Sequence, residues 1–120
     1  MTRAKWVFIL VAAMFSLASL PALAQDSEPV YKKVYDEAKA LYEKGEYVRA
    51  AALFLEVKRL ALEDGLYTET IDYRIGLCYE KAGNLKEAIK HYKIYADGDD
   101  INEKVATREE ALAKIDELEK

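Results

Sequence analysis

Two stretches of this chain carry the same pattern at a fixed offset, and that repetition limits the possible architecture more than any other feature. Tyr35–Val57 reads YDEAKALYEKGEYVRAAALFLEV, and Tyr73–Tyr95 reads YRIGLCYEKAGNLKEAIKHYKIY. A spacing of 38 pairs Ala38 with Gly76, Leu41 with Tyr79, Gly45 with Gly83, Ala50 with Ala88, and Phe54 with Tyr92. Each copy holds two runs with apolar residues at intervals of three and four, joined across a glycine, which is the pattern of a helical hairpin. A hairpin repeated at a period of this size buries its apolar face by stacking on the next copy.

Read in order, the chain predicts five helices and no strand. The first runs from about Pro29 to Lys44, with Ser27 as its N-cap and an apolar stripe of Val30, Val34, Ala38, Leu41 and Tyr42. Gly45 ends it, because a helix C-terminus commonly needs a left-handed residue. The second helix covers about Glu46 to Glu63. Its apolar residues spread wider than one stripe, so it should touch helices on two sides. Thr68 is the expected cap of a third helix reaching Ala82. Asn84 then caps a fourth, running to about Ala96, with Glu87 in the capping-box position. Asp97-Gly98 marks a break. A fifth helix is expected from about Ile101 to Glu119, capped by Asp100 and showing Val105, Leu112, Ile115 and Leu118 on a narrow apolar face.

The paired positions have a physical logic. Ala38 and Gly76 let the first helix of each hairpin approach its partner closely, and Ala50 and Ala88 do so from the second helix. Phe54 and Tyr92 fill the space one turn later. This arrangement resembles the tetratricopeptide repeat. The second copy carries that pattern at Gly76, Tyr79, Ala88 and Tyr92, and the first at Ala38, Ala50 and Phe54 with Leu41 in the aromatic place. The family's tryptophan position falls on Val34 and Asp72, and its late proline is missing from both copies. The spacing of 38 exceeds the family's usual period of about 34, implying a longer second helix or linker around Leu62–Leu66. The resemblance implies an all-α fold of antiparallel helical hairpins stacked as a short solenoid over residues 31–98. Residues 99–120 would form a C-terminal capping helix or half-repeat.

Residues 1–24 read as a secretory signal peptide. Arg3 and Lys5 precede an apolar core from Trp6 to Leu20, and Ala22-Leu23-Ala24 supplies a small-x-small cleavage site before Gln25. The apolar run, about 15 residues, falls short of the roughly 20 needed to cross a bilayer. Retention as an uncleaved anchor is the alternative. Residues 25–30 follow as a polar leader. Cleavage would remove two of the 18 basic residues and none of the 22 acidic ones, leaving a balance of −6. An acidic domain with mixed charge and no basic run argues against nucleic-acid partners and anionic membrane surfaces. These features predict a periplasmic protein of a Gram-negative bacterium, with no membrane insertion after cleavage.

No catalytic constellation is visible, so an enzyme is not expected. His91, the one histidine, lies between Lys90 and Lys93 on the fourth helix and is expected on the surface. One His and one Cys do not make a nitrogen or sulfur metal site, and no cofactor is expected. The acids Asp97, Asp99 and Asp100 lack the pattern of a calcium loop, since Asn102 and Arg108 occupy the places of its glycine and terminal glutamate. They read as a turn and helix cap. Cys78, the single cysteine, reads as a buried small hydrophobe, with an intermolecular disulfide as the alternative.

Nine tyrosines are the unusual compositional feature, and rings that keep a hydroxyl wet suit recognition faces. The family resemblance implies a concave groove made by the first helix of each repeat. On this sequence its lining would be Lys32, Tyr35, Lys39 and Tyr42, then Tyr73, Leu77, Glu80 and Lys81. Such a mixed aromatic and charged groove suits a peptide or a partner helix. Two repeats without a disulfide leave little stability margin, so the stack should be completed by a protein partner or by a second copy. The expected function is a non-enzymatic interaction adaptor of the cell envelope. The alternative is a self-assembling structural or accessory subunit of an envelope complex.

Overall fold

The computed structural model describes residues 28–66 and 68–120; the signal, most of the leader and Tyr67 lie outside them. Five helices follow one another: α1 Val30–Glu43, α2 Tyr47–Glu63, α3 Glu69–Ala82, α4 Leu85–Asp97 and α5 Arg108–Glu119. No strand occurs among the described residues. Each helix packs chiefly on its neighbours in sequence: α1 on α2, α2 on α3, α3 on α4, and α4 on α5. The fold is all-helical, and none of these helices is long and apolar enough to cross a membrane.

The turns inside the two hairpins are set by glycine. Gly45 and Gly83 have φ of +83° and +85°, the left-handed region that other residues enter only at a cost. After each, the next amide turns back onto the helix it leaves: Glu46 N–H donates to Leu41 O, and Asn84 N–H to Tyr79 O. Asn84 then accepts from the Glu87 backbone N–H and starts α4. Thr68 is itself buried and makes no side-chain cap, so α3 relies on Glu69 and Asp72 in its first turn.

The core forms two joined clusters. In the first, Ala38, Ala50, Ala51, Phe54, Ile75 and Cys78 bind α1, α2 and α3 together. In the second, Tyr73, Ala88, Tyr92, Tyr95, Ala96, Ala106, Ala111 and Ile115 join α3, α4 and α5. Tyr79 packs against both clusters. The small residues at paired positions do what their size permits: Ala38, Ala50 and Ala88 are fully buried. Gly76 is the tightest of these points, because a Cβ there would stand 2.6 Å from Cε1 of Tyr92.

The start of the last helix differs from the sequence expectation. The helix begins at Arg108 and not near Ile101, and its cap is Thr107, not Asp100. Thr107 and Glu110 make a complete capping box, with the Thr107 hydroxyl accepting from Glu110 N–H and the Glu110 carboxylate from Thr107 N–H. Upstream, the Tyr95 hydroxyl accepts from Asn102 N–H at 3.1 Å and donates to Ala106 O, which holds residues 102–106 as a turn. Arg108 adds bonds to Ala96 O at 2.8 Å and Gly98 O at 2.9 Å, closing the end of α4. The buried positions of α5 are therefore Ala111 and Ile115, with Leu112 exposed.

Gly76→Ala should destabilise the fold by about 1–3 kcal/mol, because the methyl group and the Tyr92 ring cannot share the same space. Urea unfolding followed by circular dichroism measures it, and an unchanged midpoint would contradict the close approach described above.

Candidate functional site

A groove lies between α1 and α3, which share little direct backbone approach, and α2 forms its floor. One end is a cleft of about 230 Å³ lined by Lys39, Tyr42 and Glu43 of α1, Phe54 of α2, and Arg74 and Leu77 of α3. The other is a cleft of about 380 Å³, walled by Tyr31, Lys32 and Tyr35 of α1 and Ile71 of α3 over Val57 and Ala61. Between the two stands Tyr35. Its ring has the Arg74 guanidinium 5.5 Å from its centroid and the Lys39 ammonium at 6.0 Å, and it meets Phe54 edge-on at 5.6 Å. Neither Arg74 nor Lys39 has a carboxylate partner among the described residues, so both cations face the groove from its rim.

Of the residues expected in the groove, Lys39, Tyr42 and Leu77 meet in the smaller cleft, and Lys32 and Tyr35 in the larger. The other three sit elsewhere. Tyr73 is buried in the second core cluster, its ring 5.2 Å from those of both Tyr92 and Tyr95. Glu80 is turned toward α4 and α5. It accepts from the Tyr92 hydroxyl at 2.7 Å and from Lys114 Nζ at 3.4 Å. Lys81 is exposed and lines neither cleft. Burial raises the hydroxyl pKa of Tyr42 and Tyr73 above the usual value, so both are neutral donors at physiological pH. Sequence reasoning missed Tyr31, Glu43 and Ile71 in the walls, and above all the cation Arg74. Its signal was its position three residues before Leu77, on the same helix face.

A second constellation was also missed. His91, expected on the surface, is only 5% exposed, and Asp72 is 0% exposed. His91 Nδ1 stands 2.7 Å from Asp72 Oδ1, and since a carboxylate can only accept, the ring donates from that nitrogen. Lys58 Nζ reaches both Asp72 oxygens, at 3.0 and 3.1 Å, and Tyr79 stacks on the imidazole at 5.8 Å. The burial of His91 has a simple cause. Ala88, His91, Tyr92 and Tyr95 fall three and four residues apart, on the one face of α4 that meets α3. A lysine, a carboxylate and an imidazole from α2, α3 and α4 in turn thus form a polar tie among three helices. Among the described residues, no serine or threonine hydroxyl and no thiol is hydrogen-bonded to it.

Cys78 is fully buried in the first core cluster, and desolvation pushes its thiol up to about 11. Asp97, Asp99 and Asp100 are exposed around the turn after α4, where Asp100 O accepts from the Thr70 hydroxyl at 3.2 Å. Comparison with protein-family models, with curated proteins and with solved structures finds no match to this chain.

Two measurements follow from this geometry. Lys58→Met should cost about 3 kcal/mol of stability, because it leaves the buried Asp72 charge with one partner fewer. Adding Asp72→Asn should recover most of that loss, since the amide can still bond His91; a double variant no more stable than Lys58→Met would refute the ionic account. In alkylation with iodoacetamide, Cys78 should react far more slowly in the folded chain than in urea at the same pH. Fast labelling of folded protein at neutral pH would show that the thiol is accessible.

Proposed function

We propose that this chain is a non-enzymatic adaptor of the bacterial cell envelope that holds a peptide or a partner's helix in the groove between α1 and α3. The observation that carries this reading is the groove itself. Tyr35, Tyr42, Ile71 and Leu77, all partly exposed, wall the groove beside Lys39 and Arg74, over a floor of Phe54, Val57 and Ala61 that is at most 3% exposed, and no helix among the described residues is seated between these walls. Aromatic and apolar walls edged with charge are the composition of surfaces that take extended peptides or amphipathic helices. The repeated hairpins are read as tetratricopeptide-like, with α5 in the place of a capping helix; the spaced pairs Ala38/Gly76, Ala50/Ala88 and Phe54/Tyr92 support this. Periplasmic placement rests on the signal-like sequence of residues 1–24.

The second reading, a self-assembling or accessory subunit of an envelope complex, is favoured by apolar side chains exposed away from the groove, chiefly Val48 and Leu62 on α2. The two readings separate in one experiment. Capture from envelope extract under mild crosslinking should recover a protein that Tyr42→Ala and Arg74→Glu lose by tenfold or more, on the order of 1.4 kcal/mol in affinity, while helicity is retained. Capture that is indifferent to both substitutions would overturn the groove as the binding site.

A further inference from the structure

The outer face of α2 carries a stripe that nothing in the described fold covers. Val48, Leu55 and Leu62 recur at every seventh residue and are 68%, 37% and 55% exposed. Ala52 and Arg59 fall between them, so the steps along the stripe alternate four, three, four, three. That is the spacing of a seam between two paired helices. It lies apart from the buried face of α2, whose residues are Ala50, Ala51, Phe54, Val57 and Ala61. Val48 and Leu62 stand about 21 Å apart along the axis, at 1.5 Å per residue.

We infer that this stripe is a self-association surface, on which a second copy of the chain docks with its α2 antiparallel, about a two-fold axis near Leu55. The charges beside the stripe select that occupant. Arg49, Glu56 and Glu63 run along one edge at the same seventh-residue spacing. Reversing α2 against itself sets Arg49 opposite Glu63 of the second copy at one end and Glu63 opposite Arg49 at the other, whereas a parallel pairing would set this edge against Ala51 and Lys58 of the second copy, which the buried face and Asp72 already occupy. Within its own helix Arg49 bonds Glu46 at 2.9 Å and Arg59 holds both Glu56 and Glu63, so the cross-pairs form by exchange of exposed ion pairs, while Glu56 meets its own counterpart near the axis with its charge still held by Arg59. The Arg59 stem, lying on the seam, can cover Leu55 of the second copy while its guanidinium stays wet. Ala52 leaves room for the backbones to approach. A surface of this kind is self-complementary, the requirement for a closed two-fold dimer. It does not rest on the groove reading, because no stripe residue lines either cleft.

The test is sedimentation velocity over a wide concentration range, on the protein in the form that the cell accumulates. A monomer–dimer equilibrium is expected. Leu55→Glu, which brings two more carboxylates to the axis, should weaken it by about a hundredfold. Arg49→Glu should weaken it by about tenfold, and combining it with Glu63→Arg should restore the original constant, because both cross-pairs are then rebuilt with reversed sign. All of these side chains are exposed, and circular dichroism of each variant should match the unsubstituted chain. A monomer at every concentration would overturn the inference, as would a dimer indifferent to Leu55→Glu. So would a charge swap that fails to restore association, or a stripe that binds only a different envelope protein.

Discussion

Asp72 is the side chain on which the joining of the two hairpins depends. A carboxylate with no exposure would be costly in a helical core, and it persists because Lys58 and His91 approach it from the helices on either side. The close fit of Gly76 to the Tyr92 ring sets how α3 approaches α4. The ionic tie adds a directional constraint, since its distances are met only when α2, α3 and α4 stand in one register. It therefore gives positional uniqueness more than net stability, and it holds α3 where Arg74 and Leu77 can face α1 across the groove.

The tyrosines divide their work between core and groove. Tyr73, Tyr92 and Tyr95 are buried, and two of their hydroxyls have found definite partners: Tyr92 on Glu80, and Tyr95 on the turn at Asn102 and Ala106. A leucine in those places would fill similar volume but leave the turn amide and the Glu80 carboxylate short of a partner. Tyr35 and Tyr42 are half-buried along α1, with rings packed and edges reaching the groove. The tyrosines thus serve the helical core at Tyr73, Tyr92 and Tyr95, where Tyr95 also ties the turn before α5 to it, and the groove at Tyr35 and Tyr42.

How much of this was legible in the sequence depended on the range of the interactions involved. The first four helices stood close to their expected limits because local signals decide them: Gly45 and Gly83 at turns, Asn84 at a cap, apolar residues at helical spacing. The start of α5 was misplaced because two residues compete as its N-cap, Asp100 and Thr107. The choice is made at a distance, by the Tyr95 hydroxyl and the Arg108 guanidinium. His91 was misplaced for the same reason. Its flanking lysines read as surface, while its partner lies on another helix. The groove was legible where side chains follow the helix face, as at Lys39, Tyr42 and Leu77. It was illegible where α3 rotates toward α4 and α5, carrying Tyr73 and Glu80 out of the lining.

That each helix packs chiefly on its neighbours in sequence has a consequence for how the chain reaches its fold. Closing a contact costs entropy that grows with the loop between the partners, and here the loops are the short turns at Gly45, Gly65 and Gly83 and the longer one before Arg108. The search is therefore mostly local, and topologies of this kind fold in microseconds to milliseconds. The joint that must form across separated segments is the one at Asp72, where three helices meet. Each hairpin can close on its own short turn, and the joint at Asp72 is the contact that couples one hairpin to the other.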